Sequence, residues 1–256
     1  MPFNAEEMFA QFQLYYWPFL RVSAMLLAAP VFSSSSVTVR IRVFMGVLVA
    51  AVIAPLLPSM PTIDPTSAIG VLLAAREVAI GLAMGFVMQL VFGAIVVAGQ
   101  SIAMSMGLGF AMTVDPQNGV QVPVISQLNM ILATLLFLAI DGHLLLIGAV
   151  ADSFTILPVS LAFPVGSMFS GVALLGSQLF ATALLLALPT LTAILMINVA
   201  FGVITRAAPQ LNIFSVGFPV TILAGFMVML LSLPGFITAL QRFLNQGLEQ
   251  ALLVLG

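Results

Sequence analysis

Long apolar stretches separated by short polar connections dominate the chain. About six of them are each long enough for a helix of roughly 20 residues across a hydrocarbon core of about 30 Å. They lie near 12–32, 43–60, 78–103, 125–149, 172–204 and 213–236. The ten-residue alternation expected of a membrane β-barrel is not seen in them. Because backbone polar groups in lipid must be satisfied within their own segment, the pattern predicts an all-α, multi-helix integral membrane protein.

Prolines inside these stretches indicate that the helices are bent or broken. The five prolines in question are Pro18, Pro55, Pro189, Pro219 and Pro234. A proline removes one backbone hydrogen bond and kinks a helix, and neighbouring helices compensate for that loss in membrane proteins. Clusters of Ser, Pro and Gly mark the connections. With no exact internal repeat and no separate soluble part, the sequence predicts a single domain over residues 1–256.

The third stretch is too long for a simple membrane span. Residues 78–114 contain neither a charge nor a proline. As one helix they would extend about 55 Å at 1.5 Å per residue, whereas a bilayer core is about 30 Å thick. We therefore expect this helix either to leave the bilayer or to break at Gly107-Leu108-Gly109.

The composition supports a membrane protein and excludes several classes of function. Of the 256 residues, 62% are apolar and 5% are charged, against about 45–50% and 25% in soluble domains. A thinly spread net charge of −2 offers no basic surface for nucleic acid. The lack of cysteine excludes disulfides and thiolate metal sites. The N-terminus carries acids instead of a signal peptide's basic region, so we expect the mature chain to start near Met1.

Residues able to support catalysis or proton transfer are few. The one histidine, His143, lies two residues after Asp141, and Gly142 between them favours a helix end over a proton relay. HExxH, GxSxG and Gly-rich phosphate-loop motifs are missing. Arg21 is nearly the only ionisable group inside the other spans, which disfavours a secondary transporter. We therefore expect no enzyme activity and no cofactor.

Small residues follow one face of the third stretch. Gly81, Gly85 and Gly93 recur at multiples of four positions, a spacing that lets helix backbones approach closely. Ordinary helix packing explains this face, and a groove that accepts partner helices is the alternative. Arg76 and Glu77 open the same helix. They could lie at the membrane interface; if buried, they would have to pair and hydrogen-bond, and would then lock a subunit interface.

The connection between the third and fourth stretches is apolar where a loop is normally polar. Residues 104–123 read MSMGLGFAMTVDPQNGVQVP. A plain reverse turn accounts for DPQNG, but not for the methionines and glycines before it. Methionine fills irregular gaps and re-packs, and glycine allows backbone motion. Because hydrophobic constrictions gate pores by dewetting, a seal for a pore is the alternative interpretation.

Four stretches resemble the FliR family, the flagellar export-gate proteins of bacterial type III secretion, which have close relatives in injectisomes. They are REVAIGLAMGFVMQLVFGAIVVAGQ, MGLGFAMTVDPQNG, LNMILATLLFLAIDGHLLLIGAV and RAAPQLNIFSVGFP. The last one, and DPQNG after a Gly-Phe segment, are the most specific. The resemblance implies a non-enzymatic subunit that assembles with FliP and FliQ into a gate for unfolded flagellar export substrates. FlhB and FlhA are the expected neighbours.

The resemblance also implies a division of the chain and a set of site residues. A FliP-like part over 1–170 would precede a FliQ-like hairpin over 171–256. A plug loop matching Met106 to Pro123 would seal the channel through Met106, Gly107, Gly109, Phe110, Met112, Asp115, Pro116, Asn118 and Gly119. A corner at the cytoplasmic-facing mouth, in contact with FlhB, would comprise Arg206, Pro209, Gln210, Asn212 and Pro219. A satisfied helix–loop–helix corner is the simpler interpretation of the latter set.

The implied location is the bacterial inner membrane, within the flagellar basal body. In such an assembly some helices would contact membrane lipid, while others would be covered by partner subunits and displaced toward the periplasm. The alternative function is an independent multi-pass solute transporter or channel. Such a protein would behave as a monomer and transport a solute on its own.

Overall fold

The chain is α-helical in the part that the structure, a computed structural model, describes: residues 5–34, 37–57, 60–108, 123–161, 165–207 and 217–253. These residues form α-helices and one short 3-10 helix and contain no strand. The elements are α1 (Ala5–Ala28), α2 (Val39–Ile53) with the 3-10 helix Ala54–Leu56, α3 (Ala68–Ser105), α4 (Val124–Ala139), α5 (Gly142–Ile156), α6 (Val165–Ala207) and α7 (Phe218–Leu253). The predicted all-α class is confirmed.

Each of the six predicted apolar stretches contains a helix in the part of the chain that the structure describes. By length and composition, four helical segments of the described chain qualify as membrane spans: Val39–Leu56, Ala68–Ser105, Ser170–Ala207 and Pro219–Leu253. The fourth stretch divides into α4 and α5, which are bent by 65° at their break and would make a fifth span if counted as one. The described helices therefore include four or five candidate spans instead of six, and α1, which covers the first predicted stretch, is not among them.

Helix α3 is longer than a bilayer core is thick, and it ends two residues before Gly107, the first residue of the predicted break. It has 38 residues, which corresponds to about 57 Å. It ends at Ser105, and Gly107 follows with a φ of 83°. The amide of Gly107 donates to the carbonyl of Met104, and the amide of Leu108 donates to the carbonyl of Ala103, both at 3.0 Å. This pair of bonds is a Schellman motif, in which glycine best adopts the left-handed conformation.

The prolines divide into helix-internal and helix-terminal ones. Pro18, Pro189 and Pro234 lie inside α1, α6 and α7, as predicted. Pro55 belongs to the 3-10 helix after α2, and Pro219 is the second residue of α7. The change from α-helix to 3-10 helix around Pro55 agrees with a broken helix, whereas the prediction that Pro219 bends or breaks a helix is wrong. A proline is tolerated in the first turn because the amide there has no partner within the helix.

The break between α4 and α5 confirms the predicted helix end at DGH. Asp141 has a φ of 56°, and its carbonyl accepts hydrogen bonds from the amides of Leu144 and Leu145. The residue in the left-handed region is thus Asp141 and not the neighbouring glycine. Aspartate is one of the few non-glycine residues that adopt this conformation readily.

The chain divides into two compact units. Unit 1 comprises Met1–Val91, Leu138–Gly176 and Leu244–Gly256, and unit 2 comprises Phe92–Phe137 and Ser177–Phe243. The largest buried apolar side chains of unit 1 include Trp17, Met25, Leu26, Ile80, Met84 and Phe154. In unit 2, the rings of Phe92 and Phe137 meet edge to face with centroids 5.9 Å apart.

Candidate functional site

A cluster of three charged side chains is buried in unit 1. Glu77 of α3 accepts from two arginines: its Oε2 lies 2.7 Å from both Nε and Nη2 of Arg21 in α1, and its Oε1 lies 2.9 Å from Nη1 of Arg76. The side chains of Arg21 and Glu77 are fully buried, and that of Arg76 is 4% exposed. Charges removed from water this completely require partners of this kind.

The guanidinium of Arg21 also contacts α5 and the chain that follows it. Its Nη1 donates to the Ser153 hydroxyl at 2.9 Å, and its Nη2 donates to the Leu157 carbonyl at 2.9 Å. The Ser153 hydroxyl in turn donates to the Val150 carbonyl at 2.6 Å. The ring of Phe154 lies under the guanidinium, 3.8 Å from its Cζ, a distance suited to a cation–π contact. Arg21 therefore joins α1, α3 and α5.

Glycines bring α1 and α3 close enough for this cluster to form. A Cβ added at Gly81 would overlap the carbonyl oxygen of Arg21 and lie 2.8 Å from the Cβ of Ala24. One added at Gly85 would lie 2.6 Å from the Cβ of Ala28. Gly81 is one helical turn after Glu77, so the close backbone approach is next to the ion pair. This is the small-residue packing that the spacing predicted.

The structure brings only part of the candidate interface together. Gly81, Gly85, Arg76 and Glu77 belong to unit 1, where the two glycines face α1 and Glu77 bonds to Arg21 of α1. Gly93 belongs to unit 2, where an added Cβ would lie 3.4 Å from Leu179 of α6. Arg76 and Glu77 are buried and bonded to each other, which agrees with the second of the two predicted options, a buried pair, and not with a position at the membrane interface. That these residues also form a subunit interface stays a prediction.

The start of the predicted plug loop is anchored in unit 2. Met106 is fully buried. A Cβ added at Gly225 of α7 would lie 2.7 Å from both Cγ and Cε of Met106, so this glycine makes room for the methionine. Gly107 caps α3 as described above. The other predicted plug residues lie outside the described residues: Gly109, Phe110, Met112, Asp115, Pro116, Asn118 and Gly119.

The helices on either side of that loop are direct neighbours in unit 2. Ser126 of α4 donates from its hydroxyl to the Val96 carbonyl of α3 at 3.1 Å. A Cβ added at Gly99 would lie 2.6 Å from the Cα of Ser126 and 3.0 Å from Nδ2 of Asn129. That Nδ2 is buried, and none of the described residues gives it a hydrogen-bond partner. The loop therefore leaves and re-enters a closely packed helix pair.

Of the five residues of the predicted corner, only the first and the last, Arg206 and Pro219, are among the described residues. Arg206 is exposed in the last turn of α6, where its charge is favourable beside the helix C-terminus. Pro219 lies in the first turn of α7. Pro209, Gln210 and Asn212 lie outside the described residues. Among the residues that are described, no group of three His, Asp or Glu side chains is placed to hold a metal ion.

Comparison with known proteins places the chain in a family. The family model described as "Bacterial export proteins, family 1" matches residues 12–247. The flagellar biosynthetic protein FliR of Pectobacterium carotovorum subsp. carotovorum is 42% identical over 234 residues, which cover 91% of this chain and 89% of that protein. The chain belongs to the FliR family. The predicted resemblance is confirmed.

Other FliR proteins match the chain over a similar extent. The Escherichia coli (strain K12) protein is 39% identical over 232 residues, covering 90% of this chain and 88% of its own length. The Bacillus subtilis (strain 168) protein is 27% identical over 241 residues, covering 90% of each chain. The family match includes all three members of the buried charge cluster.

Sequence reasoning missed the role of Arg21 in this FliR-family chain. It identified Arg76 and Glu77 as a pair but treated Arg21 as an isolated charge in an apolar stretch. An arginine in the middle of such a stretch is costly unless it is paired. This cost could have indicated from the sequence that Arg21 has a buried acidic partner. Nothing in the spacing indicated that Ser153 and Phe154 would complete its surroundings, because they lie 132 and more positions away.

Proposed function

We propose that this chain is a non-enzymatic subunit of the bacterial flagellar type III export gate. The observation that carries the proposal is its similarity, over 90% of its length or more, to proteins named flagellar biosynthetic protein FliR. The match covers nearly the whole of those proteins as well, so no large part of the relatives lacks a counterpart here. The chain would lie in the inner membrane at the flagellar basal body.

Apolar surface on α6 and α7 supports a role as a subunit. Only 6% of the most apolar part of α7 and 28% of that of α6 is buried within the chain, against 56% for α3. The exposed large apolar side chains on them include Phe180, Leu185, Met196, Leu223, Leu230 and Leu231. A surface this apolar must be covered by lipid or by partner helices. FliP and FliQ are the partners proposed to cover it, with FlhB and FlhA as further neighbours.

We further propose that Met106 to Pro123 forms a plug in the export channel for unfolded substrates. The contact of Met106 with Gly225 and the Schellman motif at Gly107 support this, since they fix the start of the loop at the end of α3 and against α7. The division at residue 170 into a FliP-like and a FliQ-like part remains part of the same proposal. So does a contact of the Arg206–Pro219 corner with FlhB.

Assembly with FliP and FliQ provides the first test of this function. When the chain is expressed with both proteins, we expect one complex that survives purification in mild detergent, because the apolar faces of α6 and α7 are then covered. Expressed alone, the chain is expected to give a much lower yield of monodisperse protein. Native mass spectrometry measures the composition of the complex. A stable monomer that transports a small solute in liposomes would contradict the proposal and favour an independent transporter.

The plug is tested by replacing residues 109–119 with a short Gly-Ser linker. This variant keeps Met106 and Gly107, so the end of α3 is unchanged. We expect the complex to assemble normally and its ion conductance in planar bilayers to rise above the wild-type background, because the apolar seal has been removed. A matched control shortens the connection between α2 and α3 instead and should leave conductance unchanged. Background conductance in the 109–119 variant would contradict the plug.

A further inference from the structure

An asparagine is exposed in the apolar part of α6. Asn198 lies eight residues before Arg206, which is in the last turn of the helix, and this separation corresponds to about 12 Å at 1.5 Å per residue. The neighbouring side chains of Leu195, Met196 and Val199 are 62%, 70% and 61% exposed. The amide is therefore surrounded by exposed apolar side chains, where a polar group without a hydrogen-bond partner is costly.

The threonines in this part of α6 have hydrogen-bond partners, whereas Asn198 does not. Thr192 and Thr205 each donate to the backbone carbonyl four residues earlier, at 2.7 and 3.0 Å. The hydroxyl oxygens of Thr190 and of Ser232 in α7 are 3.4 Å apart. None of the described residues gives the Asn198 side chain a hydrogen-bond partner. Because an amide side chain both donates and accepts, its partner has to come from another molecule.

Asn198 belongs to one narrow face of α6. Steps of four, three and four residues join Leu191, Leu195, Asn198 and Gly202, and residues at this spacing share one side of a helix. We call these four residues the Asn198 face. A Cβ added at Gly202 meets no atom of the described residues within 4 Å, so packing within the chain does not require glycine there. A small residue one turn from a polar one is typical of contacts between membrane helices.

A different side of α6 packs within the chain. Ala187, Thr190 and Ile194 are only 0%, 4% and 1% exposed, and Thr190 is the residue that meets Ser232 of α7. Asn198 lies about 80° around the helix from Thr190, at about 100° per residue. The Asn198 face is therefore beside the buried side of α6 and is itself uncovered.

We propose that the Asn198 face binds a transmembrane helix of a partner subunit. That helix places a small residue against Gly202 and an amide or hydroxyl side chain within hydrogen-bond distance of Asn198, while Leu191 and Leu195 pack against its apolar side chains. Acyl chains offer no hydrogen bond and would leave the amide unsatisfied, which argues against lipid on this face. This inference rests on the export-gate role proposed above, and it names the surface of α6 that the gate uses.

Replacing Asn198 with alanine tests the hydrogen bond in the complex with FliP and FliQ. We expect the association constant of the complex to fall about three- to fifteenfold, the effect of losing one hydrogen bond between membrane helices. Thr192→Ala is the matched control: Thr192 is exposed but bonds within its own helix, so assembly should equal that of the wild type. Native mass spectrometry over a series of protein concentrations measures the association constant. Because Asn198 is exposed, its replacement should leave the stability of the chain alone unchanged.

Photocrosslinking identifies the molecule that covers the face. In one variant p-benzoylphenylalanine replaces Leu195, and in a matched variant it replaces Met196, which is similarly exposed but lies about 100° further around the helix. We expect adducts with FliP or FliQ to be stronger from position 195. Equal yields from both positions, adducts between two copies of this chain, or labelling of Asn198→Cys by a water-soluble maleimide in the assembled complex would each overturn the proposal.

The outcomes separate this inference from the export-gate role. If the wild type assembles with FliP and FliQ and Asn198→Ala assembles equally well, only the role of the Asn198 face is wrong. If the wild type itself forms no complex with them, the export-gate role and this inference are both wrong.

Discussion

Replacing Glu77 with glutamine is expected to lower the free energy of unfolding by about 3–5 kcal/mol, the range found when one partner of a buried ion pair is removed. Glu77 is the carboxylate that Arg21 and Arg76 share, with bonds of 2.7 and 2.9 Å. The amide would leave two buried guanidinium groups without their shared counter-charge. Thermal or denaturant unfolding in detergent measures the change, followed by the fluorescence of Trp17, the one tryptophan of the sequence, which is fully buried in α1.

Two further variants make this result specific to the cluster. Glu249→Gln makes the same change at an exposed position of α7 and should alter stability by less than about 0.5 kcal/mol. Arg21→Gln combined with Glu77→Gln should cost less than the sum of the two single changes, because the groups interact directly. A Glu77→Gln variant as stable as the wild type would show that the ion pair does not hold α1 and α3 together.

Adding a single methyl group at Gly81 is expected to destabilise the chain by about 1–3 kcal/mol, as overpacking does in a tight interior. The Cβ of Gly81→Ala would overlap the carbonyl oxygen of Arg21, which is backbone and so cannot move without shifting α1. The same unfolding measurement applies. Separation of the helices would also disturb the Arg21–Glu77 bonds one turn away.

The matched control for Gly81→Ala should change stability in the opposite direction. Gly148 lies inside α5, and a Cβ added there meets no atom of the described residues within 4 Å. Gly148→Ala is therefore expected to stabilise the chain by roughly 0.5–1 kcal/mol, because alanine favours the helix over glycine. Equal effects of the two substitutions would mean that the close approach of α1 and α3 does not limit packing at Gly81.

The helices were predictable from the sequence because a long, continuous apolar stretch in a membrane protein is expected to form a helix. Each of the six apolar stretches contains a helix among its described residues, and the helix that holds the uncharged run ends two residues before Gly107, a glycine that the sequence marked. The errors were local and came from context that a pattern does not contain. Pro219 starts α7 instead of kinking it, because a helix can begin one residue before a proline.

The buried charge cluster was only half predictable. Adjacency in sequence marked Arg76 and Glu77 as a pair that must bond if buried. Arg21 lies 56 positions before Glu77, and helix periodicity gives the face of a residue but not which helix that face meets. The two glycines that bring α1 and α3 together were identified, whereas their partner helix was not. The plug loop rests on family resemblance, because its central residues lie outside those that the structure describes.

The separation of Arg21 from Glu77 has a consequence for the nascent chain. At about 5–20 residues per second, Glu77 is synthesised roughly 3–11 s after Arg21. During that interval the arginine has no carboxylate from α3, so α1 is a poor lipid-facing helix on its own. Stable burial of Arg21 therefore has to wait for α3, and α1 is expected to reach its final packing only after Glu77 has been synthesised.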